Sequence, residues 1–229
     1  MKNHSNIIKT TIIIILLTLI NSCTVNEKVF DEGVLEYKIE YLTNKKETPI
    51  VNLLPPSMYI KFKNNSTYTF IKGWMGVFSL SYISNSENET NTTLLKIMDK
   101  EYYYSSNFRD TNFVFDDLEG MNLQFTDDTK EILGYNCKKV IVTFQDEDKP
   151  PFEVYYTNEI KIKNLTLNTP FKNIDGVLME FNIEMQKIPM RLTINKVKPA
   201  KVSDDVFYVP SSYIKVEKKR IQNILDSLI

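Results

Sequence analysis

From Val34 to Ile194 the chain alternates apolar and polar side chains one residue at a time, segment after segment. A period of two is the pattern of a strand with one face packed and the other wet. In Val34–Tyr41, Leu35, Tyr37, Ile39 and Tyr41 share one side, while Glu36, Lys38 and Glu40 share the other. The cleanest run has Val177, Met179, Phe181, Ile183 and Met185 on one side, with Glu180, Asn182 and Glu184 opposite. The same reading predicts strands at 59–63, 67–71, 77–84, 93–98, 101–105, 138–145 and 152–156. Shorter ones follow at 123–126 and 129–133, and a last carries Met190, Leu192 and Ile194. Asn64-Asn65-Ser66, Asp99-Lys100, Gly134-Tyr135, the 146–151 stretch and Pro189 supply the turns. About ten strands joined by short turns predict a mainly β protein. Its form is a single strongly curved antiparallel sheet or an incompletely closed barrel.

Helical periodicity is confined to the end of the chain. Ile221, Ile224, Leu225 and Leu228 recur at i, i+3, i+4 and i+7, which predicts a C-terminal amphipathic helix over residues 215–228. A short helix or loop is expected at 107–121. No linker, repeat or low-complexity block interrupts residues 33–229, which read as a single β-rich domain.

The first 22 residues have a different character. Lys2 and Lys9 precede an uncharged run, Thr10 to Ile20, and Ile20-Asn21-Ser22 leads into Cys23. That order is a secretory signal, with an apolar run shorter than the roughly 20 residues a membrane-spanning helix needs. The junction resembles the lipobox of bacterial lipoproteins, which implies cleavage before Cys23, lipid on that cysteine, and residues 23–32 as a tether. The expected location is the cell envelope, anchored to a membrane through the lipid. Thr24 in place of an acidic residue favours the outer membrane by the same resemblance.

Composition excludes several chemistries. Removing residues 1–22 takes two of 28 basic residues and none of 29 acidic ones, leaving a net charge of −3 and no footprint for nucleic acid. The single histidine, His4, leaves with that segment, and with it Ser-His-Asp or Cys-His catalysis and imidazole-bound zinc. Cys137 is then a lone thiol at the start of an apolar run, with Lys138 and Lys139 beside it but no base in view. The six glycines do not form a phosphate loop. Carboxylates gather at 116–119, 127–128, 146–148 and 204–205, all in expected turns where Asp is favoured for backbone reasons. No cofactor, metal or catalytic residue is expected, and the chain reads as a non-enzyme.

Three stretches carry a family resemblance. Thr129-Lys130-Glu131-Ile132-Leu133-Gly134-Tyr135-Asn136-Cys137-Lys138-Lys139, the strand from Phe152 to Ile160, and Ile174-Asp175-Gly176-Val177-Leu178-Met179-Glu180 resemble segments of GLPGLI-type lipoproteins. Val202 to Pro210 is similar to the close of that group. At the level of fold the group is similar to LolA/LolB-type lipoprotein carriers, which implies a concave apolar face that shelters acyl chains.

Two binding readings follow. In the first, a bent sheet lined by Phe78, Leu80, Tyr82, Met179, Phe181, Ile183 and Met185 holds an apolar ligand, a lipid or lipopeptide. The same side chains would equally fill a closed core, and periodicity does not separate the two. In the second, the chain is a structural or assembly protein that contacts an envelope protein through Tyr102-Tyr103-Tyr104 or an exposed edge strand.

Overall fold

The alternating segments form strands, seen here in a computed structural model that describes residues 28–43, 51, 54–73, 76–146, 148–185 and 187–227. The expected signal segment, Cys23 and the tether up to Glu27 lie outside the described residues, as does Leu228. In chain order the strands are β1 (Lys28–Val29), β2 (Glu32–Tyr41), β3 (Ser57–Lys63), β4 (Ser66–Lys72), β5 (Phe78–Asn85), β6 (Thr90–Ile97) and β7 (Lys100–Asn107). After a 3-10 helix at Phe113–Leu118 come β8 (Asn122–Ile132), β9 (Tyr135–Thr143), β10 (Phe152–Thr157), β11 (Ile160–Lys161), β12 (Val177–Met185) and β13 (Ile188–Pro199). A second 3-10 helix (Asp204–Phe207), β14 (Ile214–Lys215) and helix α1 (Lys218–Asp226) complete the described chain.

Twelve of these strands make one sheet in the order β14-β7-β6-β5-β4-β3-β2-β13-β12-β10-β9-β8. Neighbours are antiparallel except β14, which lies parallel to β7. β8 and β14 end the sheet without pairing to each other, so it does not close into a barrel. It does curl. β5 and β12 stand five places apart in the order, which in a flat sheet would be about 24 Å at ~4.8 Å per strand. Yet Leu80 of β5 and Met185 of β12 pack on one apolar cluster and line one cavity.

Turn chemistry fixes the hairpins. Lys63 pairs with Ser66, leaving Asn64-Asn65 as a two-residue turn with φ of 49° and 65°. Both values are positive, as a type I′ turn requires, and Asn tolerates them better than most residues. Leu133-Gly134 does the same between β8 and β9, one residue earlier than the Gly134-Tyr135 expectation. Met98-Asp99, with Met98 at φ 54°, replaces the expected Asp99-Lys100. Pro189 is not a turn residue. It sits second in β13, opposite Glu184, where its carbonyl accepts from the Leu42 N–H at 2.8 Å. A proline is tolerated this close to a strand's start because few ladder donors are lost there. The two short strands expected at 123–133 are one strand broken by a bulge between Phe125 and Thr129.

The largest core lies between the β2, β13, β12, β10 and β9 strands and the segment from Ile160 to Ile174. Its fully buried members include Leu35, Val140, Val154, Phe171, Met179 and Leu192. Gly176 allows the chain to enter β12 there, since a Cβ on it would run into the Thr157 carbonyl. Two smaller clusters cover opposite faces of β5 and β6. On the concave face Leu80 and Leu95 meet Phe113 and the α1 residues Ile221 and Leu225. On the outer face Ile83 and Leu94 meet Val202 and Phe207. α1 is three residues shorter at its start than the periodicity predicted, beginning at Lys218.

Candidate functional site: a two-part cavity on the concave face

The concave face is apolar because alternate residues of β2, β3, β12 and β13 point into it, and it encloses a cavity of about 130 Å³. Of the residues singled out from sequence, Leu80, Tyr82, Phe181, Ile183 and Met185 line this cavity. Phe78 packs at the edge of the α1 cluster instead. Met179 is fully buried in the main core. Aromatic contacts fix the floor: Phe181 meets the rings of Tyr37 and Phe171 edge-on, each at 5.7 Å between centroids. The Tyr37 hydroxyl donates to the Leu178 carbonyl at 2.8 Å, and its burial pushes its pKa well above the ordinary tyrosine value. The Tyr41 hydroxyl donates to the Pro55 carbonyl at 2.6 Å, and burial pushes its pKa up to about 12.

A second, polar cavity of about 210 Å³ adjoins the first, and Tyr82, Thr93 and Asn112 belong to both walls. Its remaining lining comes from β7 (Tyr104 and Ser106), the loop after it (Asp110 and Thr111), Phe113 and Lys218. Sequence reasoning missed this part. Its residues come from strands, a loop and a helix far apart in the chain, and none falls in a motif.

Two buried amides hold the loop that forms its wall. Asn91 Nδ2 lies 3.0, 2.8 and 3.0 Å from the carbonyl oxygens of Asn107, Phe108 and Asp110, and donates its hydrogens among them. Asn168 Nδ2 donates to the Phe108 carbonyl, and its Oδ1 accepts from Ser84 Oγ at 2.8 Å. Asn112 then caps the 3-10 helix, its Oδ1 accepting from the Val114 N–H at 3.1 Å. One Asp110 oxygen accepts from the Asn107 N–H at 3.0 Å.

Tyr82 stands where the two cavities meet. Its hydroxyl is buried and makes no hydrogen bond among the described residues. Leaving such a group unsatisfied costs about 1–3 kcal/mol. Desolvation, and then the nearby Asp110 carboxylate, push its pKa far above the ordinary tyrosine value, so it is a neutral donor at any physiological pH.

The acidic clusters are used structurally. Asp116 pairs with Lys218 at 3.5 Å, Asp128 with Lys139 at 2.5 Å and Asp204 with Lys63 at 2.7 Å. Asp146 accepts from the Asp148 N–H at 3.1 Å within its turn. No His, Cys, Asp and Glu side chains are grouped to hold a metal ion among the described residues. Cys137 is fully buried, its thiol donating to the Tyr135 carbonyl, and burial pushes its pKa up to about 11, which leaves it a poor nucleophile. Tyr102, Tyr103 and Tyr104 are only half-exposed: β14 pairs beside the first two, and Tyr104 faces the polar cavity. No helix of the described residues is long and apolar enough to cross a membrane.

Comparison with known proteins revises the resemblance drawn from sequence. No curated protein matches the chain. Among solved structures, PNGF-II in one crystal form superposes with a TM-score of 0.51 at 14% identity, over 85% of this chain and 33% of that one. A second crystal form gives 0.47 at 14% identity, over 85% and 32%. The chain thus spans about a third of the length of the solved protein, and at this identity the first match shows a shared fold. A family model described as "N-glycanase peptide, N-terminal domain" matches residues 63–201. These findings overturn the GLPGLI-type and LolA/LolB-like assignments, and with them the readings as a lipid-binding lipoprotein or an envelope assembly protein. The strand patterning and turns that suggested those groups are backbone punctuation that any curled antiparallel sheet needs, so they carry little family information. With more than half of its length matched, this chain belongs to the family of N-glycanase N-terminal domains.

Proposed function

We propose that this chain is a non-catalytic recognition domain for N-glycosylated polypeptide. The observation that carries this reading is the family match over residues 63–201. Two further features support it. The matched region corresponds to an N-terminal domain, and the chain covers a third of the solved PNGF-II structure, so chemistry belonging to a whole N-glycanase need not reside here. Of the acidic clusters, Asp116, Asp128 and Asp204 are engaged in ion pairs and Asp146 in a turn, at separate places on the surface.

A lipid on Cys23 would hold the domain at an envelope membrane, where extracellular glycoprotein arrives. Replacing Cys23 by Ala is expected to move the chain from the membrane to the soluble fraction of the source cells. An unchanged distribution would remove the anchor from this proposal.

Binding is tested by titrating the full chain with a glycopeptide bearing one N-linked oligosaccharide and with the same peptide lacking it. At least tenfold tighter binding of the glycosylated form is expected, with the glycopeptide's mass unchanged after prolonged incubation. Equal affinity for the two peptides would overturn recognition, and release of the oligosaccharide would overturn the non-catalytic assignment.

A further inference from the structure

We propose that the polar pocket beside Tyr82 is a subsite for one neutral sugar ring, an inference that rests on the recognition role above and gives it a location. At about 210 Å³ the pocket is smaller than the roughly 300–1,000 Å³ that houses drug-sized ligands, which suits a single ring rather than a chain.

Its chemistry matches that of a sugar. Pyranose hydroxyls both donate and accept, and so do the hydroxyls of Tyr82, Ser106 and Thr111, while the Asp110 carboxylate accepts only. The Tyr82 hydroxyl already spends its desolvation in the unliganded fold, because it is buried without a partner. A ligand oxygen that accepts from this hydroxyl therefore gains a hydrogen bond whose burial penalty is already met. The rings of Tyr104 and Phe113 supply apolar surface for the C–H face of a pyranose.

Charge selects among sugars. Lys218, the one cation in the lining, is 3.5 Å from Asp116 and lies over the Phe113 ring. No ion pair to Asp110 is seen among the described residues, so with Lys218 shared with Asp116 two carboxylates stand against one ammonium at this pocket, which disfavours acidic sugars. The wall is also preorganised. Asn91 and Asn168 pin the carbonyls of Asn107, Phe108 and Asp110, so little order remains to be acquired on binding.

The test uses the full chain and two conservative variants, Tyr82→Phe and Asp110→Asn. Tyr82→Phe removes only a hydroxyl that makes no internal bond, and Asp110→Asn keeps an acceptor for the Asn107 N–H. Each is expected to lose at least tenfold in affinity for the glycopeptide, while the melting temperature of Tyr82→Phe stays level or rises. Saturation-transfer NMR is expected to show contact with methyl α-mannopyranoside or methyl β-galactopyranoside in the wild type, and none with methyl β-glucuronide. If the wild type prefers the glycopeptide and both variants match it, the pocket is not the subsite and the recognition role stands. Wild-type indifference to the oligosaccharide would remove both. A melting temperature lowered by Tyr82→Phe, or a strong glucuronide signal, would also overturn the assignment.

Discussion

The two sides of the curled sheet reach the same interior by different means. Along β12 and β13 the sheet packs one face, and the sequence shows it: Phe181, Leu192 and Ile194 are buried, while Asn182, Arg191 and Thr193 are partly open to water. Along β5 and β6 both faces are covered, by α1 and the first 3-10 helix within and by the 202–213 segment without. There Ser81, Ser84, Asn85, Asn91, Thr92 and Thr93 are as buried as their apolar neighbours. A buried strand need not be an apolar one. Short polar side chains let a second layer come close, provided each finds a partner, and most here do: Ser84 with Asn168, Asn85 with the Phe207 carbonyl, Thr92 with Ser105.

The contrast predicts different responses to mutation. On the singly covered side, Phe181→Ala removes a ring that contacts Tyr37 and Phe171 and should cost about 3–5 kcal/mol in urea unfolding. A cost under 1 kcal/mol would mean that the concave floor is loosely packed. On the doubly covered side, Asn91→Ala leaves three loop carbonyls without their shared donor and should cost about 1–3 kcal/mol. Faster amide exchange is expected around residues 107–112, and unchanged exchange there would show that the loop does not depend on this amide. The smallest effect belongs to the ion pair that fastens the outer layer. Asp204 is largely exposed in its 2.7 Å pair with Lys63, so Asp204→Asn should cost about 0–1 kcal/mol, less at high salt. A larger loss would mark the outer layer as fastened by charge rather than by Val202 and Phe207.

The same contrast explains what could be read in the sequence. Alternation located the sheet strands of three or more residues, and the i, i+3, i+4, i+7 spacing located the buried residues of α1, Ile221 and Leu225. Ser79 and Ser81 read as a wet face because periodicity records polarity, and nothing local announces that residues 202–213 will cover that side of the sheet. The apolar half of the site was partly legible, since Leu80, Tyr82, Phe181, Ile183 and Met185 sit on alternating positions that converge. The polar half was not. Tyr82, Asp110 and Lys218 meet only because the sheet curls and the C-terminal segment returns to its β7 side.

That return has a consequence for how the molecule behaves in a crowd. β14 lies along β7 for only two residues, yet it occupies the ladder positions beside Tyr102 and Tyr103, where an exposed aromatic strand would invite pairing with another chain. The opposite end of the sheet has no such cover among the described residues. β8 is eleven residues long, but a bulge bends it and Asp127, Asp128, Lys130 and Glu131 line it. One edge is kept from aggregating by a short strap of its own chain, and the other by curvature and charge.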